Sequence, residues 1–353
     1  MNNDRIQEIL DLMEEARLDY FLISDPQSIA YCTGYYNDPH ERMFVFMISK
    51  HGNHTLFMND LFYLDHDLDV NIVWHKDGQD AIQTIVDEMH FPGRIGIDKN
   101  WASHFLLDLM KKLPDAKYIN ASPCVDLVRM KKDLQEQVLM IESSKINDAV
   151  MEEIIPFIQE GVTEKQLAKK LDELFFNHHS TCYGAIVAFG KNAADPHHEN
   201  DDTLLRKGDC VLIDMGCVYK GYCSDMTRTF FYEGILEEEI KVYEIVKKAN
   251  EAAEAMIKPG VKLSDIDKCA RKVISDEGYG KYFTHRLGHF IGRDVHEYGD
   301  VSSVNEMEVE EGMIFSIEPG IYLEGNFGVR VEDLVMVTKD GCQVLNSFTK
   351  DIY

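Results

Sequence analysis

The amino-acid sequence predicts an α+β protein of two domains, a small N-terminal α/β domain over residues 1–122 and a larger C-terminal α+β domain over residues 123–353. The length of 353 residues favours two domains, because single hydrophobic cores tend to stop growing near about 250 residues. With 45% hydrophobic residues, the chain has enough apolar surface to fold. Strands and helices alternate in the first third, whereas the remainder intersperses helices with hairpins, which is typical of α+β domains.

The N-terminal domain opens with a helix followed by a strand. Apolar residues recur at helical spacing over Ile6–Met13, and the run Asp19–Ser24 is strand-like and ends at the turn signal Asp25-Pro26. Further strands are predicted at 43–49 and 94–98, and further helices at 80–89 and 103–112. The stretch Asn120–Pro123 marks the predicted domain boundary.

The C-terminal domain begins with two predicted helices. The first covers residues 132–155 and ends at Pro156, and the second starts at Thr163 with a capping-box pattern. Two more helices are predicted at 235–257 and 264–276, and strands at 185–188, 210–217, 222–232, 313–318 and 328–337. These helices need the sheet, or each other, to cover their apolar faces.

Charge and composition restrict the classes of partner. The formal charge of −26 repels phosphate backbones and anionic lipids, so we expect neither nucleic acid nor membrane as a partner. No signal peptide or membrane span is visible. The eight cysteines contain no C-x-x-C pair, which favours reduced thiols and a cytoplasmic location.

Four predicted strands share an unusual feature, a single carboxylate within an apolar run. A buried carboxylate without a partner is expensive, and any one of these residues alone is more simply a surface charge or an ion pair. Four together indicate a common site. The four residues are Asp214, Asp225, Glu318 and Glu332.

Hairpin spacing predicts that these carboxylates converge in pairs. If a turn is centred between Tyr219 and Lys220, Asp214 lies directly opposite Asp225, with Cβ atoms about 5 Å apart. Glu318 and Glu332 similarly flank the turn-like segment 324–326. Each hairpin would then present two acids to one face.

Four carboxylates could hold two divalent cations, and oxygen ligands with limited imidazole suit manganese, cobalt or zinc. A histidine would complete such a site, and the segment His285–Glu297 contains three histidines within twelve residues. The pair His197-His198, in a polar loop, is by itself no more than a surface histidine pair.

These residues resemble the pita-bread metallopeptidase superfamily in its prolidase and aminopeptidase P branch, whose N-terminal creatinase/prolidase-type domain is similar to the first part of this chain. The likeness covers nearly the whole sequence. The matching segments are Ile213–Gly216, Tyr222–Thr229, Gly288-His289, His296-Glu297, Glu318–Gly320 and Arg330–Asp333, with Asp19–Ser24 and Ser28–Gly34 in the N-terminal part.

The resemblance implies a site with five metal ligands, namely Asp214, Asp225, His289, Glu318 and Glu332, of which Asp225 and Glu332 would bridge two divalent cations, Mn²⁺ before Co²⁺ or Zn²⁺. It also implies a substrate site lined by His197, His285, His296 and Arg330. In this interpretation Glu318 transfers a proton, His197 and His296 act on the substrate carbonyl, and the chain removes an N-terminal residue that precedes proline.

Several alternatives stay open. Relatives often have glycine where this chain has His198 and Phe290, and bulky residues there are found in some aminopeptidase P enzymes, so the sequence does not decide between dipeptides and longer peptides. A catalytically silent peptide-binding relative and a metal-free creatinase-type hydrolase are the other hypotheses, and the intact ligand set argues against both. By analogy with the family we expect a homodimer.

Overall fold

The computed structural model describes residues 1–90 and 92–352, and the chain divides into two compact units, residues 1–129 and 130–353. The division falls within the last turn of the helix Ser122–Met130, whereas the boundary predicted from the sequence lies at the start of that helix. Val125 and Val128 of this helix are buried in the hydrophobic core of the first unit. Those contacts explain why the helix groups with the first unit.

The first unit contains five helices and six strands among its described residues. The helices are α1 (Asn3–Glu15), α2 (Pro26–Thr33), α3 (Ala81–Glu88), α4 (Ser103–Lys112) and α5 (Ser122–Met130). The strands are β1 (Tyr20–Ile23), β2 (Val45–Ser49), β3 (Thr55–Asn59), β4 (Asn71–His75), β5 (Arg94–Ile97) and β6 (Lys117–Asn120).

These strands form one mixed sheet in the order β4-β3-β2-β1-β5-β6. Alternate residues of a strand point to opposite faces. Phe21 and Ile23 therefore pack with α1, α2 and α5, whereas Tyr20 and Leu22 pack with α3 and α4. The two faces bury separate apolar clusters, which makes this unit a helix–sheet–helix sandwich of α/β type.

The structure adds elements to this unit that the sequence analysis did not predict. The turn signal Asp25-Pro26 is the start of α2, with Asp25 as the N-cap and proline at the first helical position. The strands β3, β4 and β6 were also missed; β4 and β6 have half-exposed or exposed residues and so lack a clear apolar pattern.

The second unit combines four helices with thirteen short strands among its described residues. The helices are α6 (Leu134–Ile154), α7 (Glu164–Asn177), α8 (Glu237–Met256) and α9 (Leu263–Asp276). The strands are β7 (Thr181–Cys182), β8 (Ile186–Phe189), β9 (Cys210–Met215), β10 (Cys217–Tyr219), β11 (Tyr222–Cys223), β12 (Met226–Phe231), β13 (Gly288–His289), β14 (Asp300–Val301), β15 (Ile314–Ile317), β16 (Gly320–Leu323), β17 (Phe327–Arg330), β18 (Asp333–Val337) and β19 (Cys342–Val344).

All the helices predicted for this unit are present, and the α+β prediction is confirmed. The predicted capping box of α7 forms, because the Gln166 amide donates to Thr163 Oγ1 at 3.1 Å and the Thr163 amide donates to Gln166 Oε1 at 3.0 Å. The strands form small antiparallel sheets, of which β12-β9-β8, β15-β18-β19 and β16-β17 carry the segments of interest. No helix in the described part of the chain is long and apolar enough to span a membrane.

The predicted register of the first hairpin is wrong by two residues. Asp214 pairs with Thr227, not with Asp225, because the turn is centred on Lys220 and Gly221. Both turn residues have positive φ, 49° and 83°, as a tight hairpin turn that matches the strand twist requires. A shift of two residues preserves the face to which side chains point, so Asp225 stays on the same side as Asp214.

The predicted register of the second hairpin is correct. Strands β16 and β17 pair Gly320 with Arg330 around a turn at Gly325, which has a φ of 76°. Continuing this register by two residues on each strand places Glu318 opposite Glu332. Both carboxylates therefore lie at the open end of the hairpin.

Candidate metal centre

The second unit contains a cavity with a volume of about 590 Å³, which is the size of a small-molecule site. Every site residue predicted from the sequence lies on its wall. These residues are Asp214, Asp225, His289, Glu318, Glu332, His197, His285, His296 and Arg330.

Asp225, His289 and Glu332 form the centre of this wall. All three are buried, and their potential ligand atoms lie within 4.8 Å of one another. His289 Nε2 lies 3.6 Å from Asp225 Oδ2 and also 3.6 Å from Glu318 Oε1. The imidazole thus joins carboxylates from both hairpins.

Local packing fixes the His289 ring. Gly288 allows β13 to approach β15 closely, since a Cβ at this position would lie 1.9 Å from the Ser316 carbonyl oxygen. The His289 amide donates to Ser316 Oγ at 3.0 Å, and the ring Nδ1 lies 3.2 Å from the Phe290 carbonyl oxygen. Because a carbonyl only accepts, Nδ1 carries the proton, and the lone pair of Nε2 faces the neighbouring carboxylates, where it could bind a metal ion.

Burial and mutual repulsion disfavour the charged forms of these carboxylates. Burial, and then Asp225 and Glu318, raise the pKa of Glu332 well above its usual range. Burial also raises the pKa of Glu318 to about 7, although His289 and Arg330 oppose this. These shifts are what a cluster of like charges in a low-dielectric site produces without a compensating cation.

Asp214 has a cationic partner. Burial raises its pKa, while Arg330 lowers it, and Arg330 Nη2 donates to Asp214 Oδ2 at 2.6 Å. The same guanidinium donates to Thr227 Oγ1 at 3.1 Å and to the Tyr322 hydroxyl at 3.0 Å. Arg330 therefore orients Asp214 and has little donor capacity left for a substrate.

His285 is held in its neutral form. Burial, and then Arg330, lower its pKa to about 4. Its Nδ1 lies 2.7 Å from the Arg286 carbonyl oxygen, and its Nε2 lies 2.8 Å from the Tyr322 hydroxyl. With both nitrogens engaged by the protein, His285 lines the cavity and orients Tyr322.

Unlike His285, His197 and His296 have ring nitrogens without a hydrogen-bond partner in residues 1–90 and 92–352. His296 packs edge-on against His289 with ring centroids 4.2 Å apart, and burial lowers its pKa to about 4. Both rings are available to a bound molecule.

Phe290 and His198, where the family resemblance leads us to expect glycine in many relatives, have different environments. Phe290 is fully buried and packs on Phe315, with ring centroids 5.3 Å apart, so it does not narrow the cavity. His198 does line the cavity, and its Nε2 lies 2.6 Å from the buried carboxylate of Glu164. Of these two residues, only His198 can therefore restrict the space for a substrate.

The site is supported by residues that were not predicted from the sequence. Thr227 is fully buried, donates to Glu332 Oε2 at 2.6 Å and also accepts from Arg330. Tyr322 joins Arg330 to His285. Two-residue alternation could have identified both, since Thr227 follows Asp225 by two positions and Tyr322 follows Glu318 by four.

Comparison with known families agrees with this geometry. The model of "Metallopeptidase family M24" matches residues 138–339 of this chain. The model of the "Creatinase/Prolidase N-terminal domain" matches residues 5–131. The chain belongs to metallopeptidase family M24. The resemblance predicted from the sequence, including the pita-bread fold and its N-terminal domain, is confirmed.

Relatives of this M24 peptidase match it over almost its full length. An uncharacterized peptidase of Staphylococcus aureus is 34% identical, with 98% of this chain and 99% of the relative covered. The prolidase of Pyrococcus horikoshii OT3 is 28% identical with a TM-score of 0.92, covering 99% of this chain and 100% of that one. The X-Pro aminopeptidase of Thermotoga maritima MSB8 is 29% identical with a TM-score of 0.85, covering 97% and 99%.

The donor set fits the metal dependence of the M24 family. Four carboxylates and one imidazole nitrogen line one cavity, and these are the ligand types of divalent manganese, cobalt and zinc. The ligand atoms of Asp225, His289 and Glu332 lie within 4.8 Å of one another, and Glu318 lies 3.6 Å from His289. Burial and the neighbouring carboxylates raise the pKa of Glu332 and Glu318, and a divalent cation bound beside them would stabilise their charged forms.

Proposed function

We propose that this M24 peptidase is a dinuclear metal-dependent exopeptidase that hydrolyses the bond between an N-terminal residue and proline. The observation that carries the proposal is the convergence of the five ligand-type side chains beside two uncommitted histidine rings, His197 and His296, in one cavity. The names of the structurally similar prolidase and X-Pro aminopeptidase support the same substrate class.

Two divalent cations would be held by Asp214, Asp225, His289, Glu318 and Glu332. When bound, such cations lower the pKa of water and stabilise negative charge on the oxygen of a carbonyl under attack. Thr227 and Ser316 would keep Glu332 and Glu318 in place, because each donates to a carboxylate oxygen, at 2.6 and 3.2 Å. Manganese is our first choice of metal, with cobalt and zinc as alternatives.

The other residues act directly on the peptide. Glu318 takes the proton from the attacking water and passes it to the leaving prolyl nitrogen. His197 and His296 donate hydrogen bonds to the substrate carbonyl and to the charge that develops there. Proline differs from other residues because its acylated nitrogen has no hydrogen and its ring fixes the backbone, so a pocket shaped for that ring could select it.

Asp214 favours action at a free N-terminus. One of its carboxylate oxygens accepts from Arg330, and 22% of the side chain remains exposed at the cavity. A carboxylate in this position can bind the substrate ammonium group as well as a cation. The enzyme would then be an exopeptidase, which we further propose to be a cytoplasmic homodimer.

The competing functions lack support from the site. A silent peptide-binding relative and a metal-free creatinase-type hydrolase have no need of five convergent ligand-type side chains. Here all five are present and line one cavity.

The test is hydrolysis of an Xaa-Pro dipeptide beside an Xaa-Pro-Yaa tripeptide by the manganese-loaded protein, with a chelated sample as control. Cleavage of the dipeptide alone identifies a prolidase, and preference for the tripeptide identifies an aminopeptidase P. Metal binding without cleavage of either peptide would contradict the proposal and favour the silent relative.

A further inference from the structure

Glu164 is a fully buried carboxylate outside the metal cluster. It is the first residue of α7, yet its oxygens accept from none of the amides of that helix. The Glu164 and Lys165 amides donate to the carbonyls of Thr203 and Asp201, and the Gln166 amide donates to Thr163 Oγ1. Each of its two oxygens instead accepts two hydrogen bonds from residues later in the chain. The donors are the amides of Phe189 (2.8 Å) and Asp201 (3.0 Å), Asn192 Nδ2 (2.9 Å) and His198 Nε2 (2.6 Å).

These four donors all belong to one stretch, residues 189–201, which we call the histidine segment. It runs from the end of β8 through a 3₁₀ turn and carries Pro196, His197 and His198 to the cavity wall. Glu164 holds both ends and the middle of this stretch. Glu164 thus fixes His198 directly and contributes, through the backbone of the segment, to the position of His197.

The pattern of bonds argues against a role for Glu164 in helix stability alone. A glutamate in the first turn of a helix can stabilise the helix dipole from the surface without being buried. Burying the charge is expensive unless every lone pair is satisfied. Here the four satisfying donors come from the histidine segment, so the carboxylate stabilises that segment and not its own helix.

The hydrogen bond also fixes the His198 ring. The side chain of His198 is 12% exposed and lines the cavity. Because a carboxylate accepts, Nε2 carries a proton, and the tautomer and orientation of the ring are set. Nδ1, the other ring nitrogen, therefore has a fixed position relative to a bound peptide.

A third metal site at Glu164, His198 and Asp201 is a weaker interpretation. Their potential ligand atoms lie within 4.8 Å of one another. Both oxygens of Glu164 already accept two hydrogen bonds each, however, and a cation would have to displace those donors.

We propose that Glu164 is a positioning residue for substrate binding, which acts through His198 and the histidine segment to set the affinity for the peptide. This rests on the function proposed above and adds a residue to it. Glu164 does not touch the metal ligands or the reacting atoms, and the histidine that it bonds is His198, not His197, so its loss affects KM more than kcat.

The experiment compares the full-length, manganese-loaded variants Glu164→Gln, Glu164→Ala and His198→Ala. The matched control is Gln166→Ala, which removes the capping bond of the same helix without touching the histidine segment. Glu164→Gln retains the shape of the side chain, but its amide NH₂ group faces partners that are themselves hydrogen-bond donors and cannot accept from it. We measure kcat, KM, bound metal and backbone hydrogen exchange for each protein.

We expect KM for the cleaved Xaa-Pro peptide to rise roughly tenfold in Glu164→Gln, the loss that follows from one hydrogen bond between charged or polar partners. Bound metal stays unchanged, and exchange becomes faster over the histidine segment in Glu164→Ala. The double variant Glu164→Gln with His198→Ala has a KM no higher than that of the more affected single variant. Gln166→Ala changes neither KM nor exchange in the segment.

Unchanged KM together with unchanged exchange in the Glu164 variants would overturn the proposal, as would fully additive effects in the double variant. A loss of bound metal in Glu164→Gln would favour the third metal site instead. If the wild-type protein cleaves no Xaa-Pro peptide, the proposed function fails, while the exchange data still test whether Glu164 holds the segment.

Discussion

Removal of the metal should lower the stability of this protein in a pH-dependent manner. In the metal-free fold burial raises the pKa of Glu318 from its ordinary value of 4.5 to about 7. At about 1.4 kcal/mol per pH unit, this shift means that ionising Glu318 above pH 7 costs about 3 kcal/mol of folding free energy. A carboxyl group whose pKa is raised by folding contributes stability at low pH and loses it as the pH rises through its folded value. The metal-free protein therefore weakens between pH 5 and 8.

Bound divalent cations should remove this cost, because they neutralise the carboxylates that repel one another. The second unit covers residues 130–353, a size for which 1 kcal/mol corresponds to about 2–4 °C in Tm. Manganese should then raise Tm by about 6–12 °C at pH 8 and by less at pH 5.5. Scanning calorimetry with manganese and with a chelator measures the difference.

Two variants make this measurement specific to the site. Asp225→Asn removes a central carboxylate and should abolish the manganese-dependent rise in Tm. Glu324→Gln, an exposed residue in the turn of the hairpin that carries Glu318 and Glu332, is the control and should retain it. An equal rise in wild type and Asp225→Asn would refute the reasoning, and so would the absence of any rise in wild type.

Three further predictions concern single residues. His296→Ala should lower turnover by about a hundredfold or more with bound metal unchanged, as metal analysis beside kinetics would show; unchanged turnover contradicts its role. Lys132→Met breaks the buried ion pair with Glu297 (2.9 Å) and should lower the free energy of unfolding by about 3–5 kcal/mol in urea titrations, whereas a shift below 1 kcal/mol would mean that the pair contributes little. Burial, and then Asp333, raise the pKa of Glu254 to about 7. The Tm of the wild type should therefore fall more from pH 5 to pH 8 than the Tm of Glu254→Gln. Parallel pH profiles of Tm for the two proteins would contradict this prediction.

The sequence predicted the cavity better than it predicted the geometry of the hairpins. The second hairpin was placed correctly because Gly325 marks the centre of its turn. The first was misplaced because its turn uses Lys220, a non-glycine residue with positive φ, beside Gly221. This error did not affect the prediction of the site, because a shift of two residues leaves Asp214 and Asp225 on the same face.

Support residues could not be predicted in the same way. Glu164 looks like an ordinary helix-start glutamate in the sequence, and only the fold brings the histidine segment against it. His285 was expected to contact substrate, but tertiary contacts engage both of its ring nitrogens. Phe290 was expected to affect the pocket, yet strand alternation directs it into the core, on the side opposite His289.

The central claim is that the five convergent ligand-type residues hold two cations which make this M24 protein an Xaa-Pro peptidase. The most direct test is titration of manganese into the metal-free protein while hydrolysis of an Xaa-Pro dipeptide or tripeptide is followed. Activity should be absent at first and should rise to a plateau once two equivalents have bound, with no rise in Asp225→Asn. Hydrolysis at full rate before manganese is added, or none at saturation, would contradict the claim.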